Sequence, residues 1–202
     1  MYQFTSESVS QGHPDKVADL ISDTVATYLI NGNINHRAAV ETLVTTNKVI
    51  LAGEFKSDRG HNPDRIENIV RQVIKEIGYE QEGFHWETVE IQNNLHGQSE
   101  DIALGTDDFG AGDQGIMFGY ACEEAGNKLP MPLYYSHEVL NKLQRLRKND
   151  PQYSWLEPDN KAQFTFNYGS DGKPINVANV VCSTQHKANV DIEFVREEVK
   201  KV

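Results

Sequence analysis

Apolar residues recur every three to four positions over residues 14–30. Val17, Leu20, Ile21, Val25, Tyr28 and Leu29 fall on one side, which predicts an amphipathic helix. Pro14 suits its first position, where a missing N–H is no loss, and "NGN" at 31–33 stops it. The period then drops to two. "AAVETLVTT" and "KVILAGEF" read as paired strands turned at Asn47. The helical period returns over 62–78, with Ile66, Ile69, Val70, Val73, Ile74 and Ile77 in one stripe. Asn62 serves as its cap, Pro63 as its start and Gly78 as its end. "ETVEIQNN" reads as another strand. Residues 94–115 break the pattern, with five glycines, five acidic residues and little periodicity. A loop of that length is functional or disordered. Beyond it, 134–149 reads as a helix with Val139, Leu140, Leu143 and Leu146 inward. "KAQFTFNY", the turn "GSDGKP" and "INVANVVCST" form a hairpin, and "DIEFVREEVKKV" begins an amphipathic helix that runs uncapped to the last residue.

Helices and hairpins thus alternate. The fold class this predicts is α+β: repeated α/β sandwich subdomains, with helices packed on one face of mixed or antiparallel sheets. The two halves share a helix–hairpin–helix rhythm without a residue-level repeat. The 202 residues suffice for one large domain or two small ones. Nineteen basic against thirty acidic residues give a net charge of −11, which weighs against nucleic acid and membrane surfaces as partners. A phosphate compound then calls for a local basic pocket or a divalent metal. Cys122 and Cys182 lack metal-ligand spacing, and the simple reading is a reduced, cytoplasmic protein. No signal peptide is visible, and no apolar run approaches the ~20 residues of a membrane span.

Against that background, "SVSQGHPDKVAD" places His13, Asp15 and Lys16 where the first helix begins. Asp15 in the first turn is explained by the helix dipole alone. A cap does not call for His13 and Lys16 beside it, whereas a polyphosphate with a hard cation on Asp15 does. Glu41 and Glu54 alternate onto faces shared with Ala39 and Leu43, and with Ile50 and Ala52. A carboxylate among apolar neighbours suits a cation or a substrate ammonium; the alternative is an edge strand whose glutamates reach solvent. "GAGDQG" sets Asp113 between glycines that admit a close ligand, or forms a simple turn. Gln98, Ser99 and Asp101 lie on the long loop, which is either a lid or solvated. Asp159 and Lys161, two apart on a strand, share a face and form either a phosphate grip or a surface ion pair. His186 reads as structural, and no histidine pair has helical metal-ligand spacing.

Taken together, these segments resemble one family, the S-adenosylmethionine synthetases (methionine adenosyltransferases, EC 2.5.1.6). The resemblance rests on "FTSESVSQGHPDKVADLISD", "ETLVTTNKVILAGEF", "VIKEIGY", "GAGDQGIMFGYA", "KLPMPLYYSH", "WLEPDNKAQFTF" and "VVCSTQH", in the family's order along essentially all 202 residues. It implies that methionine sulfur attacks C5′ of ATP, expelling triphosphate that is then hydrolysed. By the resemblance His13 and Lys161 are catalytic. ATP contacts are His13, Asp159, Asn160, Lys161 and Ser183. Methionine contacts are Glu54, Gln98 and Asp113. Asp15 is a magnesium ligand and Glu41 a potassium-site ligand, with two Mg2+ per site and K+ in the family. Gln98, Ser99, Asp101 and Ile102 belong to a gating loop over 98–108. The partners implied are ATP, L-methionine and further copies in a homodimer or homotetramer whose active sites lie at interfaces, with no nucleic acid and no membrane.

The resemblance also sets domain expectations: 11–115 as a first subdomain of the family's central type, and 1–10 plus 116–202 as a second of its amino-terminal type, with the third missing. Family members run to nearly twice this length, and their "GDxGLTGRK"- and "GGGAFSGKD"-type segments have no counterpart here. The loop reads "SEDIALGTDD" where the family commonly has proline after the serine and "QGV" after Asp-Ile, and "DNK" stands for the usual "DAK". The expectation is an incomplete synthetase, inactive alone; the alternative is a non-catalytic or complementing partner subunit. A magnesium-ATP kinase is the remaining competitor, and it lacks its usual phosphate loop.

Overall fold

The computed structural model describes residues 1–58, 62–99 and 114–202. In chain order its elements are β1 (Tyr2–Val9), α1 (Pro14–Ile30), β2 (Arg37–Thr45), β3 (Lys48–Lys56), α2 (Pro63–Ile77), β4 (Glu80–Gln81), β5 (Phe84–His85) and β6 (Glu90–Gly97). There follow α3 (Met131–Asn149), a 3₁₀ turn (Pro151–Tyr153), β7 (Leu156–Tyr168), β8 (Pro174–His186) and α4 (Ile192–Lys200). Chain contacts divide these into a continuous unit, Pro14–Met117, and a split unit, Met1–His13 with Phe118–Val202. Each unit lays helices on one face of a three-stranded sheet, the α+β architecture that the element order predicts.

In the continuous unit the sheet order is β2-β3-β6, antiparallel between β2 and β3 and parallel between β3 and β6. The parallel pair requires a crossover, and α2 supplies it. Val49, Leu51, Phe55 and Leu95 face the helices. They meet Val17, Ile21, Val25 and Leu29 of α1, and Ile66, Val70, Ile74 and Ile77 of α2. Each such side chain contributes about 1.5–3 kcal/mol by leaving water. α2 begins and ends where its signals predict: the Arg65 amide donates to the Asn62 side chain at 3.1 Å, and Gly78 closes it at φ 100°. Arg71 fastens α2 to the following chain, donating to the carbonyls of Trp86, Glu87 and Val89 and to Glu67.

In the split unit the sheet order is β1-β7-β8, all antiparallel. Its inner face carries Leu156 and Ala162, packed with Leu140 and Leu143 of α3 and Val195 of α4, and then Phe164, Phe166 and Tyr168, against which Met131 and Val139 of α3 pack. The outer face is a polar ladder. Thr5 pairs with Thr165 through their hydroxyls at 2.9 Å, and Asn167 bridges Gln3 and Asn176.

Five local features differ from the sequence expectation. β1 was not predicted, because Ser6 and Ser8 on its inner face hide the alternation that Tyr2 and Phe4 begin. The β4–β5 hairpin is too short to carry a period. β6 starts at Glu90 rather than at 87, since Thr88 and Val89 both donate back to the His85 carbonyl in a turn. α3 starts at Met131 rather than at 134; Pro130 and Pro132 are tolerated at its start, and Glu124 accepts the Met131 amide at 2.9 Å. α4 closes at Lys200, with Lys201 as its C-cap. Among the described residues no helix is long and apolar enough to cross a membrane.

Candidate functional site

The split unit builds one cluster where β1 ends and β7 begins. Ser10 is 5% exposed and is bonded there through its amide, its hydroxyl and its carbonyl. Its amide donates to Asn160 O at 2.8 Å, and its hydroxyl donates to Pro158 O at 2.6 Å and accepts from the Asn160 amide at 2.7 Å. Gly12 follows at such close quarters that a Cβ would stand 2.4 Å from the Pro158 carbonyl carbon, so no larger residue fits. The His13 amide then donates to Ser10 O at 3.0 Å, closing a tight turn. The stretches "GHPDK" and "EPDNK" are therefore packed together at Gly12 and Pro158.

β7 is irregular at this point. Its pairing with β8 shifts register between Leu156 and Asn160, a bulge that leaves the in–out alternation of β7 unbroken, so Asp159 and Lys161 keep one face. The Asp159 amide donates to Gln185 Oε1 at 3.3 Å, while Asp159 Oδ1 is buried with no hydrogen-bond partner among the described residues. Lys161 stands on the outer face, directly paired with Val9 on one side and Ser183 on the other. Asn160, 2% exposed, points the opposite way into the core; its Nδ2 donates to Glu157 O at 3.0 Å. His13, Asp159, Lys161 and Ser183 thus share this unit with a buried Asn160. Ser10 and Gln185 belong to the same cluster and were not singled out from the sequence. Nothing in a lone serine or in "CSTQH" signals that these side chains bond backbone across the sheet.

The continuous unit carries the second set. Glu41 and Glu54 lie on the sheet face away from α1 and α2, together with Gln92, Asn94 and His96 of β6. Glu41 is opposite Ala52 and Glu54 opposite Ala39, which makes the two carboxylates diagonal neighbours. Their apolar neighbours are as expected, but the face is open, with Leu43 61% exposed. Neither carboxylate bears the full cost of a buried charge. Gly53 sits at φ 127°, where a Cβ would lie 2.0 Å from the Ala39 carbonyl oxygen. That glycine keeps β3 in register beside Glu54. Gln98 Nε2 donates to Glu54 Oε1 at 3.3 Å, and Gln98 N donates to Phe55 O at 2.9 Å. Gln98 Oε1 is buried without a partner among the described residues. Asp15 is exposed in the first turn of α1, and Ser99 is exposed after β6. Asp101, Ile102 and Asp113 lie outside the described residues.

Among the described residues no three histidine, cysteine or acidic side chains converge to hold a metal ion. Asp15 and Glu41 offer hard oxygen donors one at a time. A single carboxylate of this kind can hold a hard cation only as a partial ligand, with further oxygens supplied from outside these residues.

Two family models match the chain in succession: S-adenosylmethionine synthetase, N-terminal domain, over residues 1–100, and S-adenosylmethionine synthetase, central domain, over 108–202. The S-adenosylmethionine synthase of Granulibacter bethesdensis is 53% identical over 191 residues, covering 92% of this chain and 48% of its own length. That of Pelagibacter ubique is 51% identical over 205 residues, covering 98% and 52%. A solved structure of an unusual S-adenosylmethionine synthetase from Campylobacter jejuni matches with a TM-score of 0.87 at 36% identity, over 100% of this chain and 53% of that one. The chain spans about half the length of the curated relatives it matches. With consecutive domain models over nearly all its residues, and with "GHPDK" folded against "EPDNK", the chain belongs to the S-adenosylmethionine synthetase family.

Proposed function

We propose that this chain contributes to the synthesis of S-adenosylmethionine from ATP and L-methionine. The observation that carries the proposal is the β7–β8 cluster. There Lys161 is paired with Ser183 beside Asp159, whose buried Oδ1 has no partner among the described residues and so suits a donor from a ligand. The Glu54–Gln98 pair supports it independently. A carboxylate next to an unmatched amide oxygen is an acceptor set suited to a primary ammonium such as that of methionine.

The methionine sulfur forms a bond to C5′ of ATP as the C5′–oxygen bond breaks, and the electron pair leaves with triphosphate. A neutral thioether needs no general base, so the protein's task is to align the reactants and stabilise the charge growing on the leaving group. Lys161 and His13 are assigned to that charge, Asp159 and Ser183 to the nucleotide, and Glu54 with Gln98 to methionine. Asn160 acts indirectly, holding the Ser10 turn and the β7 bulge in place. Asp15 and Glu41 are the carboxylates that would hold a divalent and a monovalent cation, whose bound charge would further offset the triphosphate. Hydrolysis of triphosphate to pyrophosphate and phosphate follows.

Since the chain spans about half of its relatives, we assign full turnover to these residues together with further polypeptide, in the same chain or in a partner. The same fact favours the second reading, a complementing subunit. Incubation with ATP and methionine, with products separated by chromatography, tests both. S-Adenosylmethionine appearing only when the missing half is supplied supports the proposal. ADP as product, or binding of neither substrate under any combination, overturns it.

A further inference from the structure

The inner face of the split unit's sheet is not covered along its whole length. At the far end of β7 from Lys161, Tyr2, Phe4, Tyr120, Glu124, Pro130 and Tyr168 enclose a pocket of about 300 Å3. Seven residues separate Lys161 from Tyr168 along the strand, about 23 Å, so this pocket is remote from the β7–β8 cluster. Its floor is a pair of stacked rings, Tyr2 on Tyr168, with centroids 5.2 Å apart and planes at 16°. Phe4 stands edge-on to Tyr168 at 86°, forming a second wall. Tyr120 is 76% exposed and contributes a fourth, outer ring. Among the described residues no lysine or arginine lines the pocket, and Glu124 is its one charge.

The bonding of Glu124 is one-sided. Its Oε2 accepts from the Tyr168 hydroxyl at 2.7 Å and from the Met131 amide at 2.9 Å. Among the described residues Oε1 accepts none. A half-buried carboxylate therefore keeps one oxygen available in a pocket lined by four aromatic rings. The Tyr168 phenol also donates its hydrogen bond to that carboxylate, which enriches its ring in electron density. Ring faces carry the negative part of the aromatic quadrupole, and they attract cations whose charge is spread over weakly hydrated methyl groups. An apolar neutral guest would fill the pocket but leave the carboxylate unmatched. A lysine-like ammonium would lose too much hydration to enter between the rings.

We propose that Tyr2, Phe4, Tyr120, Tyr168 and Glu124 form a binding site for a small methylated onium cation, either a quaternary ammonium or a sulfonium. Two sources fit this chemistry: a free quaternary ammonium metabolite, and the sulfonium product of the reaction proposed above. Binding requires no turnover, so the site stands or falls separately from that reaction.

The test uses the isotope-labelled protein with choline, its neutral isostere 3,3-dimethyl-1-butanol, and S-adenosylmethionine as probes, followed in amide 1H–15N spectra. Saturable shifts at Tyr2, Phe4 and Tyr120 with choline or S-adenosylmethionine, and binding of the neutral isostere about tenfold weaker, are expected. The tighter of the two cations names the source. Glu124→Gln keeps an acceptor for the Met131 amide while removing the charge, and Tyr120→Ala alters an exposed ring; each is expected to weaken binding about three- to tenfold. Equal binding of choline and the isostere, shifts confined to other regions, or wild-type affinity in both variants would overturn the proposal.

Discussion

Ser10 and Asn160 hold each other from both sides: the Ser10 amide donates to Asn160 O, and the Asn160 amide donates to Ser10 Oγ. This double tie joins the end of β1 to the bulged start of β7, and so fixes the backbone on which Asp159 and Lys161 stand. Ser10→Ala would leave the Asn160 amide and the Pro158 carbonyl buried without the hydroxyl. The expected cost is about 1–3 kcal/mol, seen as a lower urea midpoint at unchanged slope. A variant as stable as the parent would show that this tie does not hold the cluster.

Gly12 and Gly53 are predicted to be intolerant of alanine for different reasons. At Gly12 the obstacle is contact alone, with Pro158 backbone at 2.4 Å; at Gly53 it is both φ 127° and the Ala39 oxygen at 2.0 Å. Gly32, at φ 70° with nothing within 4 Å, is the control. Gly32→Ala is expected to cost about 1–2 kcal/mol, and Gly53→Ala and Gly12→Ala more, ranked by thermal melting. Equal melting temperatures for all three would contradict the close approaches.

These glycines mark the limit of what was legible beforehand. Helices α1 and α2 were readable because a 3.6-residue stripe and flanking Asn62, Pro63 and Gly78 state their positions locally. The β7–β8 hairpin was readable from "FTFNY" and its turn. β1 was not, because its inner face passes from two aromatics to two serines, and its pairing partner lies about 160 residues away, as Thr5 with Thr165 shows. A separation of 150 residues likewise hid Ser10, which bonds Asn160, and one of 26 residues hid Gln185, which bonds Asp159; both roles exist only once β1 and β8 flank β7. The motifs carrying His13, Asp159 and Lys161 were recognisable as a set by resemblance. Their contact at Gly12 and Pro158 arises only once β1 and β7 are paired, and has no signature in the residue pattern.

If Lys161 stabilises a leaving triphosphate, Lys161→Met should lower kcat about 100- to 1,000-fold in the complemented enzyme, with little change in the KM for methionine. Glu54→Gln should instead raise the KM for methionine, because it weakens an ammonium contact present before and during the reaction. Steady-state kinetics with each substrate varied separates the two. Interchanged effects would contradict the roles assigned to the two faces.

The Tyr168 phenol is pushed well above its ordinary value, chiefly by burial and then by its hydrogen bond to, and the negative charge of, Glu124. The folded state therefore holds this proton more tightly than the unfolded chain, whose tyrosines titrate near about pH 10. The stabilisation is complete below that pH and is lost as pH rises from there towards the folded value. Tyr168→Phe removes both the bond and the titration. At pH 8 it should be less stable than the parent by about 0.5–1.5 kcal/mol. That gap should close progressively above about pH 10, by at most about 1.4 kcal/mol per pH unit. Urea titrations of both proteins from pH 8 to 11 measure it, and a gap that stays constant across the range would show that the Tyr168 proton is held no more tightly in the fold than outside it.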